Sequence, residues 1–331
     1  MTTQSTSSES QSIIHVRSLG EFEFCPRAGI IAFESQLKNK IDAEPPRVPN
    51  LGYSPPFDIK QLEEELAKKS SRFSKVLFLT LAMATALTFI GNSVGFTNTA
   101  FLWIAIVLPA ITLSVDWQDL TALWREYRRV QNAIDPKPFH DGIRAPLQVD
   151  WWDLVKSYQS AQPGEPYVDP LTHLVGKPWR ILSFHRQRIP VILSRSETEQ
   201  TGIKSTHLNK LAAYSHLLRQ SDEQVDSDWG VVIFADTRTG YAVPINQSEI
   251  DSMLRLLGEF RVFLTRSNRG VAPGEPDSKL CFRCPNNRRR TFRKGSTETK
   301  MAGRTLQPLL QLDGKSHCDC GDRFQWQPPL G

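Results

Sequence analysis

The chain predicts an α/β fold: a small mixed sheet flanked by helices, with a two-helix transmembrane hairpin and a small Cys-rich C-terminal knuckle attached. Three observations carry this expectation. Between residues 176 and 265, short apolar runs alternate with amphipathic stretches. Val76 to Val115 contains no Asp, Glu, Lys, Arg or His. Four of the five cysteines fall in two close pairs near the C-terminal end. A length of 331 residues suits one large domain or two small ones. The formal net charge of +5 is too small by itself to imply a nucleic-acid partner. An odd, low cysteine count does not suit a disulfide framework and favours metal ligation.

In chain order, residues 1–17 are Ser/Thr/Gln-rich, lack the basic and apolar regions of a signal peptide, and read as a disordered tail. Residues 18–57 form an N-terminal piece of the α/β domain followed by a Pro-rich linker, "EPPRVPNLGYSPP". Residues 58–135 read as helices around the hairpin. "DIKQLEEELAKKSSRFSK" places Leu62 and Leu66 at helical spacing, and "DWQDLTALWREYRRVQNAI" sets Leu120, Leu123, Trp124, Tyr127 and Val130 on one stripe. Between them, "VLFLTLAMATALTFI" and "AFLWIAIVLPAITLSV" flank a turn, "GNSVGFTNT". A bilayer crossing takes about 20 mostly apolar residues, so spans are expected at 76–96 and 99–115. Lys68, Lys69, Arg72 and Lys75 precede them and Arg125, Arg128 and Arg129 follow, which predicts a two-pass membrane protein with both termini cytoplasmic.

Residues 136–270 carry the core. "VDWWDLVKSYQ" reads as helix. "GKPWRILSFHRQRIPVILSR" reads as a hairpin bent at Arg186-Gln187-Arg188. "THLNKLAAYSHLLRQ" is a helix, "WGVVIFAD" a buried strand, "TRTG" a turn, "YAVPI" a strand, and "QSEIDSMLRLLGEFRVFLT" an amphipathic helix with Ser248 as its expected cap.

Three strings within this order, "SLGEFEFCPRAGIIAFE", "KLAAYSHLL" and "KLCFRC", resemble the PD-(D/E)XK nuclease superfamily, in particular its RecB-like, CRISPR-associated exonuclease branch. The resemblance implies a restriction-endonuclease-like sheet interrupted by the inserted hairpin. It also implies an Asp after Pro on one strand and Glu-x-Lys on the next. The carboxylates there would hold a divalent ion, and the Lys would assist the attacking water. The corresponding positions are Trp179, Ile192 and Ser194, with Lys210 where the family's helix has Gln. Trp, Ile and Ser supply none of the carboxylate oxygens that Mg²⁺ requires. The resemblance thus implies the fold, while these residues argue against catalysis. Glu197, Glu199 and Asp236 are the acids available for a relocated site. His173, His185, His207 and His216 show no metal-ligand spacing and read as surface or packing residues, and His140 or His173 is a candidate for an upstream family His.

Residues 271–331 combine a basic loop with a cysteine knuckle. Cys281 and Cys284, with Cys318 and Cys320, suit a closed tetrahedral Zn²⁺ site. The resemblance offers an alternative, a 4Fe-4S cluster that adds Cys25. Between the pairs lie Arg288, Arg289, Arg290, Arg293 and Lys294, then Lys300 and Arg304, suited to phosphates of DNA or of anionic lipid. The function expected is a membrane-anchored binding or scaffold protein whose nuclease-like domain has lost catalysis, with the bilayer and DNA or anionic lipid as partners. Two alternatives stand beside it. One is a divergent metal-dependent DNA exonuclease with relocated carboxylates. The other is a membrane-associated metal-binding module unrelated to nucleic acid.

Overall fold

The computed structural model describes residues 12–39, 55–94, 99–134, 139, 145–194, 203–222, 226–271, 273–274, 287–288, 299–301, 304–306 and 317–318. The chain divides into two units: residues 1–43 with 137–331, and residues 44–136.

The first unit is mixed α/β. It opens with β1 (Ile14–His15), α1 (Val16–Phe24) and α2 (Pro26–Asn39). The second unit follows, with α3 (Ile59–Val94) and α4 (Thr99–Asn132). The first unit then resumes with β2 (Leu147–Asp150), α5 (Trp151–Ser157), β3 (Gln159–Ala161), β4 (Tyr167–Asp169), β5 (Leu174–Gly176), β6 (Arg180–Phe184) and β7 (Gln187–Ser194). After these come α6 (Ser205–Ser221), β8 (Trp229–Phe234), β9 (Thr239–Pro244) and α7 (Gln247–Asn268). Four short strands close the chain: β10 (Asn287–Arg288), β11 (Thr299–Met301), β12 (Arg304–Leu306) and β13 (His317–Cys318).

The main sheet runs β2-β9-β8-β7-β6-β3, and a second sheet runs β1-β5-β4. Both are mixed: β7 pairs β8 in parallel and β1 pairs β5 in parallel, while their other neighbours are antiparallel. A parallel pair needs a long crossover, and α6 supplies it between β7 and β8. The hairpin bends one residue earlier than expected: Phe184 pairs with Gln187, leaving His185 and Arg186 as the loop, with His185 at φ 51°. Pro190 is buried within β7 but has no N–H to donate. It falls between the isolated Gln187–Asp226 bridge and the β8 ladder that begins at Val191, where no donor is required. The expected helix at 149–159 is shorter, Trp151–Ser157, because Asp150 caps it by accepting from the Trp152 N–H. The cap of α7 is Asn246 rather than Ser248: Asn246 and Glu249 form a reciprocal capping box.

Alternation along β7 and β8 sends Ile192, Val232 and Phe234 to one face of the sheet. There they join Leu19 and Phe22 of α1, Leu211 and Leu217 of α6, and Phe260 of α7 in one core. Phe22 stacks on Phe260 with centroids 4.5 Å apart. Separate aromatic contacts join Phe139 to Trp229 at 4.9 Å and place the buried Arg238 guanidinium over Trp152 at 5.4 Å.

The second unit is an antiparallel helical hairpin. Lys69 pairs with Asp119, Arg72 with Asp116 at 3.5 Å, and Phe73 meets Trp117 at 5.7 Å. A groove of about 630 Å³ is lined by Glu63, Leu66, Trp117, Leu120, Trp124 and Tyr127. Phe78, Leu79, Leu81 and Phe89 of α3 are exposed. Here the sequence expectation is corrected. Among the described residues no helix is long and apolar enough to cross a membrane, so the spans at 76–96 and 99–115, and the two-pass localisation built on them, are not supported. The apolar core of each helix stops at about 15 residues, short of the roughly 20 a crossing takes. Within the apolar run of α3, the Thr80 hydroxyl donates to the Val76 carbonyl and the Thr85 hydroxyl to the Leu81 carbonyl.

Candidate functional site

Ser194 is the last residue of β7, on the same face as Ile192, and is nearly buried. Its Oγ lies 3.3 Å from Nε2 of His207, in the first turn of α6. Burial, together with the positive charges of Lys210 and Lys204, pushes the His207 imidazole down to about 4. His207 is therefore neutral at pH 7. Its Nδ1 is buried without a hydrogen-bond partner among the described residues. One turn further along α6, the Lys210 side chain crosses α1 at Gly20, where a Cβ would come within 2.0 Å of its Cε. Desolvation lowers the Lys210 pKa; Glu21 opposes the shift, Arg17 adds to it, and Glu23 opposes it.

Ile192, Ser194 and Lys210 thus converge where β7, α6 and α1 meet. Ile192 belongs to the core. Trp179 precedes β6, and the Arg180–Val191 register sets it beside Ile192 along the sheet. Its ring meets Trp151 at 5.1 Å with the Arg180 guanidinium over it. None of the four supplies a carboxylate. Among the described residues no three His, Cys, Asp or Glu side chains converge to hold a metal ion. Asp236 lies exposed in the β8–β9 turn, away from any such group, while Glu197 and Glu199 lie outside the described residues.

The histidines divide. His207 is part of the site rather than a surface residue. His216 lies 2.9 Å from Oδ2 of the buried Asp169, which also accepts from the Thr172 hydroxyl and the Leu171 N–H. His173 stands in a left-handed turn at φ 44°, His185 is exposed in the hairpin loop, and His140 lies outside the described residues. Sequence reasoning missed Gly20, Glu21 and Glu23. Their one signal is the break of polarity in "SLGEFEF", where acids alternate with phenylalanines at a helix that otherwise packs inward.

Of the cysteines, Cys25 is a free, buried thiol between α1 and α2. The adjacent Arg27 donates through Nε and Nη2 to the Pro273 carbonyl, at 3.2 and 2.9 Å, which ties the segment after α7 to this corner. Cys318 is in β13, paired antiparallel with β10 so that Asn287 faces Cys318 and Arg288 faces His317. Cys281, Cys284 and Cys320 lie outside the described residues, as do Arg289, Arg290, Arg293 and Lys294. Inside the stretch read as a basic loop, β11 and β12 form a hairpin carrying Lys300 and Arg304.

No protein family matches the chain, and no curated protein is detectably similar to it.

Proposed function

We propose that the chain is a nucleic-acid-binding protein built on a nuclease-like α/β domain without metal-dependent hydrolysis, with a thiolate-ligated zinc module that carries the phosphate-binding residues. The observation behind this reading is the chemistry at the junction of β7, α6 and α1. If the resemblance holds, an indole (Trp179) and an isoleucine (Ile192) stand at its two carboxylate positions, a hydroxyl bonded to a neutral imidazole (Ser194 with His207) at its lysine position, and an ammonium (Lys210) at its helix glutamine position.

The zinc assignment rests on donor chemistry and register. Four cysteines suit Zn²⁺. Cys284 precedes β10 by three residues and Cys320 follows Cys318 by two, so the chain keeps each of these two cysteines within about 11 Å of the β10–β13 ladder and Cys281 within about 22 Å of it. Cys281, Cys284, Cys318 and Cys320 would hold the ion, which would act as a structural crosslink. The Arg27–Pro273 contact keeps open the alternative of an iron–sulfur cluster that includes Cys25.

The test is retention on single- and double-stranded DNA as a function of salt, alongside elemental analysis of protein purified without oxygen. Salt-sensitive retention is expected. Replacing Arg288, Arg289 and Arg290 with Ala should reduce the magnitude of the log–log salt slope by about 2 to 3. Stoichiometric zinc and no visible absorption are expected as well. Iron with a brown band would replace zinc by the cluster. Mg²⁺- or Mn²⁺-dependent loss of DNA that Glu197→Ala, Glu199→Ala or Asp236→Ala abolishes would overturn the reading in favour of a divergent exonuclease. Binding to anionic vesicles but not to DNA would make lipid the partner. Metal with neither partner would leave a metal-binding module unrelated to nucleic acid.

A further inference from the structure

The nucleic-acid reading makes no use of the second unit, residues 44–136. We propose that its helical hairpin pairs with a second copy of the chain through the groove face, closing a four-helix bundle in which each α3 lies against the other copy's α4.

Each helix carries two apolar stripes where a lone hairpin needs one. The first faces inside the hairpin, where Leu62 and Leu123 are fully buried. The second faces the groove. On α3, Glu63, Leu66, Ala67 and Ser70 recur at i, i+3, i+4 and i+7, and on α4 Trp117, Leu120, Thr121 and Trp124 repeat that spacing. Leu77 and Leu81 extend the α3 stripe at helical period. In a four-helix bundle every helix packs against two neighbours, so two stripes per helix are what such a bundle requires.

The two walls of the groove complement each other in shape and in charge. Lys69 against Asp119, Arg72 against Asp116 and Phe73 against Trp117 fix the level of one helix along the other. By that alignment Trp124 stands level with Leu66 and Ala67, and Glu63 with the turn from Arg125 to Arg128. A two-fold axis running along the hairpin carries α4 of one copy over α3 of the other with these levels unchanged. The bulky Trp124 then meets the small Ala67 and Ser70, and the exposed Glu63 meets the exposed Arg128. Every helix in this arrangement is antiparallel to both of its neighbours.

The area is that of a stable dimer. Trp117 is 55% exposed, Trp124 46%, Leu77 40% and Leu81 58%. With the partly buried Leu66, Leu120 and Tyr127, these side chains offer roughly 500 Å² of apolar surface per copy, and a standard interface of about 800 Å² per partner is a little over half apolar. Each wall is the complement of the other, so a second copy is the occupant that the face itself specifies.

The experiment is sedimentation equilibrium of the full chain over a concentration series, without nucleic acid. A monomer–dimer equilibrium is expected. Trp124→Glu should raise the dissociation constant at least about 100-fold, because it places a charge where a central aromatic anchor stood. Trp124 is half-exposed in the single chain, and circular dichroism checks that the variant keeps its helices. Glu63→Arg and Arg128→Glu each set like charges opposite one another and should each weaken the dimer about tenfold. Mixing these two variants restores opposite charges at both contacts, so the mixture should dimerise at least about fivefold tighter than either variant alone. That rescue arises only between chains and does not depend on the folding of Trp124→Glu. A chain that stays monomeric throughout overturns the proposal, whether or not it binds lipid vesicles. A dimer that Trp124→Glu leaves unchanged overturns it too, as does a mixture no tighter than its components. The outcome is independent of DNA binding, since no nucleic acid is present.

Discussion

Gly240→Ala is expected to destabilise the first unit by about 3 kcal/mol or more, the upper end of what overpacking costs. A Cβ at Gly240 would come to 1.8 Å from the Val232 carbonyl oxygen, 2.8 Å from its carbon and 3.0 Å from the Ile233 Cα. All three are backbone atoms of β8, so no side chain can turn aside. Gly240 faces Ile233 on one side and Val149 of β2 on the other. Relief would require β9 to pull away from β8, loosening a ladder of five residue pairs in the middle of the sheet. Each ladder hydrogen bond contributes about 1 kcal/mol net. Urea unfolding followed by circular dichroism checks the expectation, with Gly164→Ala as the control, because nothing lies within 4 Å of a Cβ there. A Gly240→Ala variant within about 0.5 kcal/mol of the parent, the range of ordinary surface substitutions, would show that the strands separate at no cost.

The sequence carries the order hairpin, helix, hairpin, helix because each element has a strong local signal. Val191–Leu193 and Val231–Phe234 are short apolar runs rich in β-branched residues, as buried strands are, and α7 repeats its apolar positions at helical spacing. What it does not carry lacks local signal. The β1-β5-β4 sheet is built from strands of two and three residues, too short for any periodicity. The cap of α7 depends on the reciprocal bond between Asn246 and Glu249, for which Ser248 is an equally good residue type in the wrong place. The junction residues are the extreme case. Ser194 and His207 are joined only when α6 folds back on β7, and Gly20 meets Lys210 across 190 positions of chain. Composition misled in one respect. Forty uncharged residues suggested two membrane spans, yet each apolar core ends after about four helical turns, and no described helix is long and apolar enough to cross a membrane.

Asp169→Asn should produce the other large effect, and its size should depend on pH. Asp169 is 1% exposed at the end of β4 and is tied to three parts of the first unit. It accepts from the Leu171 N–H and the Thr172 hydroxyl in its own turn and from His216 Nε2 of α6, while Arg261 of α7 donates to the Thr172 carbonyl. Burial alone would raise the carboxyl pKa. The bonds from the Thr172 side chain, His216, and the Leu171 and Thr172 backbone outweigh it and hold the group below its ordinary value. A depressed carboxyl stabilises the fold above the unfolded value of about 3.9, and that contribution is lost as pH falls through the lower folded value. Asn cannot accept from both sides, since its amide nitrogen is a donor. One bond is therefore replaced by two donors facing each other, at a cost of about 2 to 3 kcal/mol near neutral pH. Denaturant melts from pH 7 to pH 2 should show this gap closing below about pH 4, as the parent takes up the proton whose exclusion Asp169 maintained. A gap that stays constant down to pH 2 would mean that Asp169 acts through packing alone, and that the link among β4, α6 and α7 does not depend on its charge.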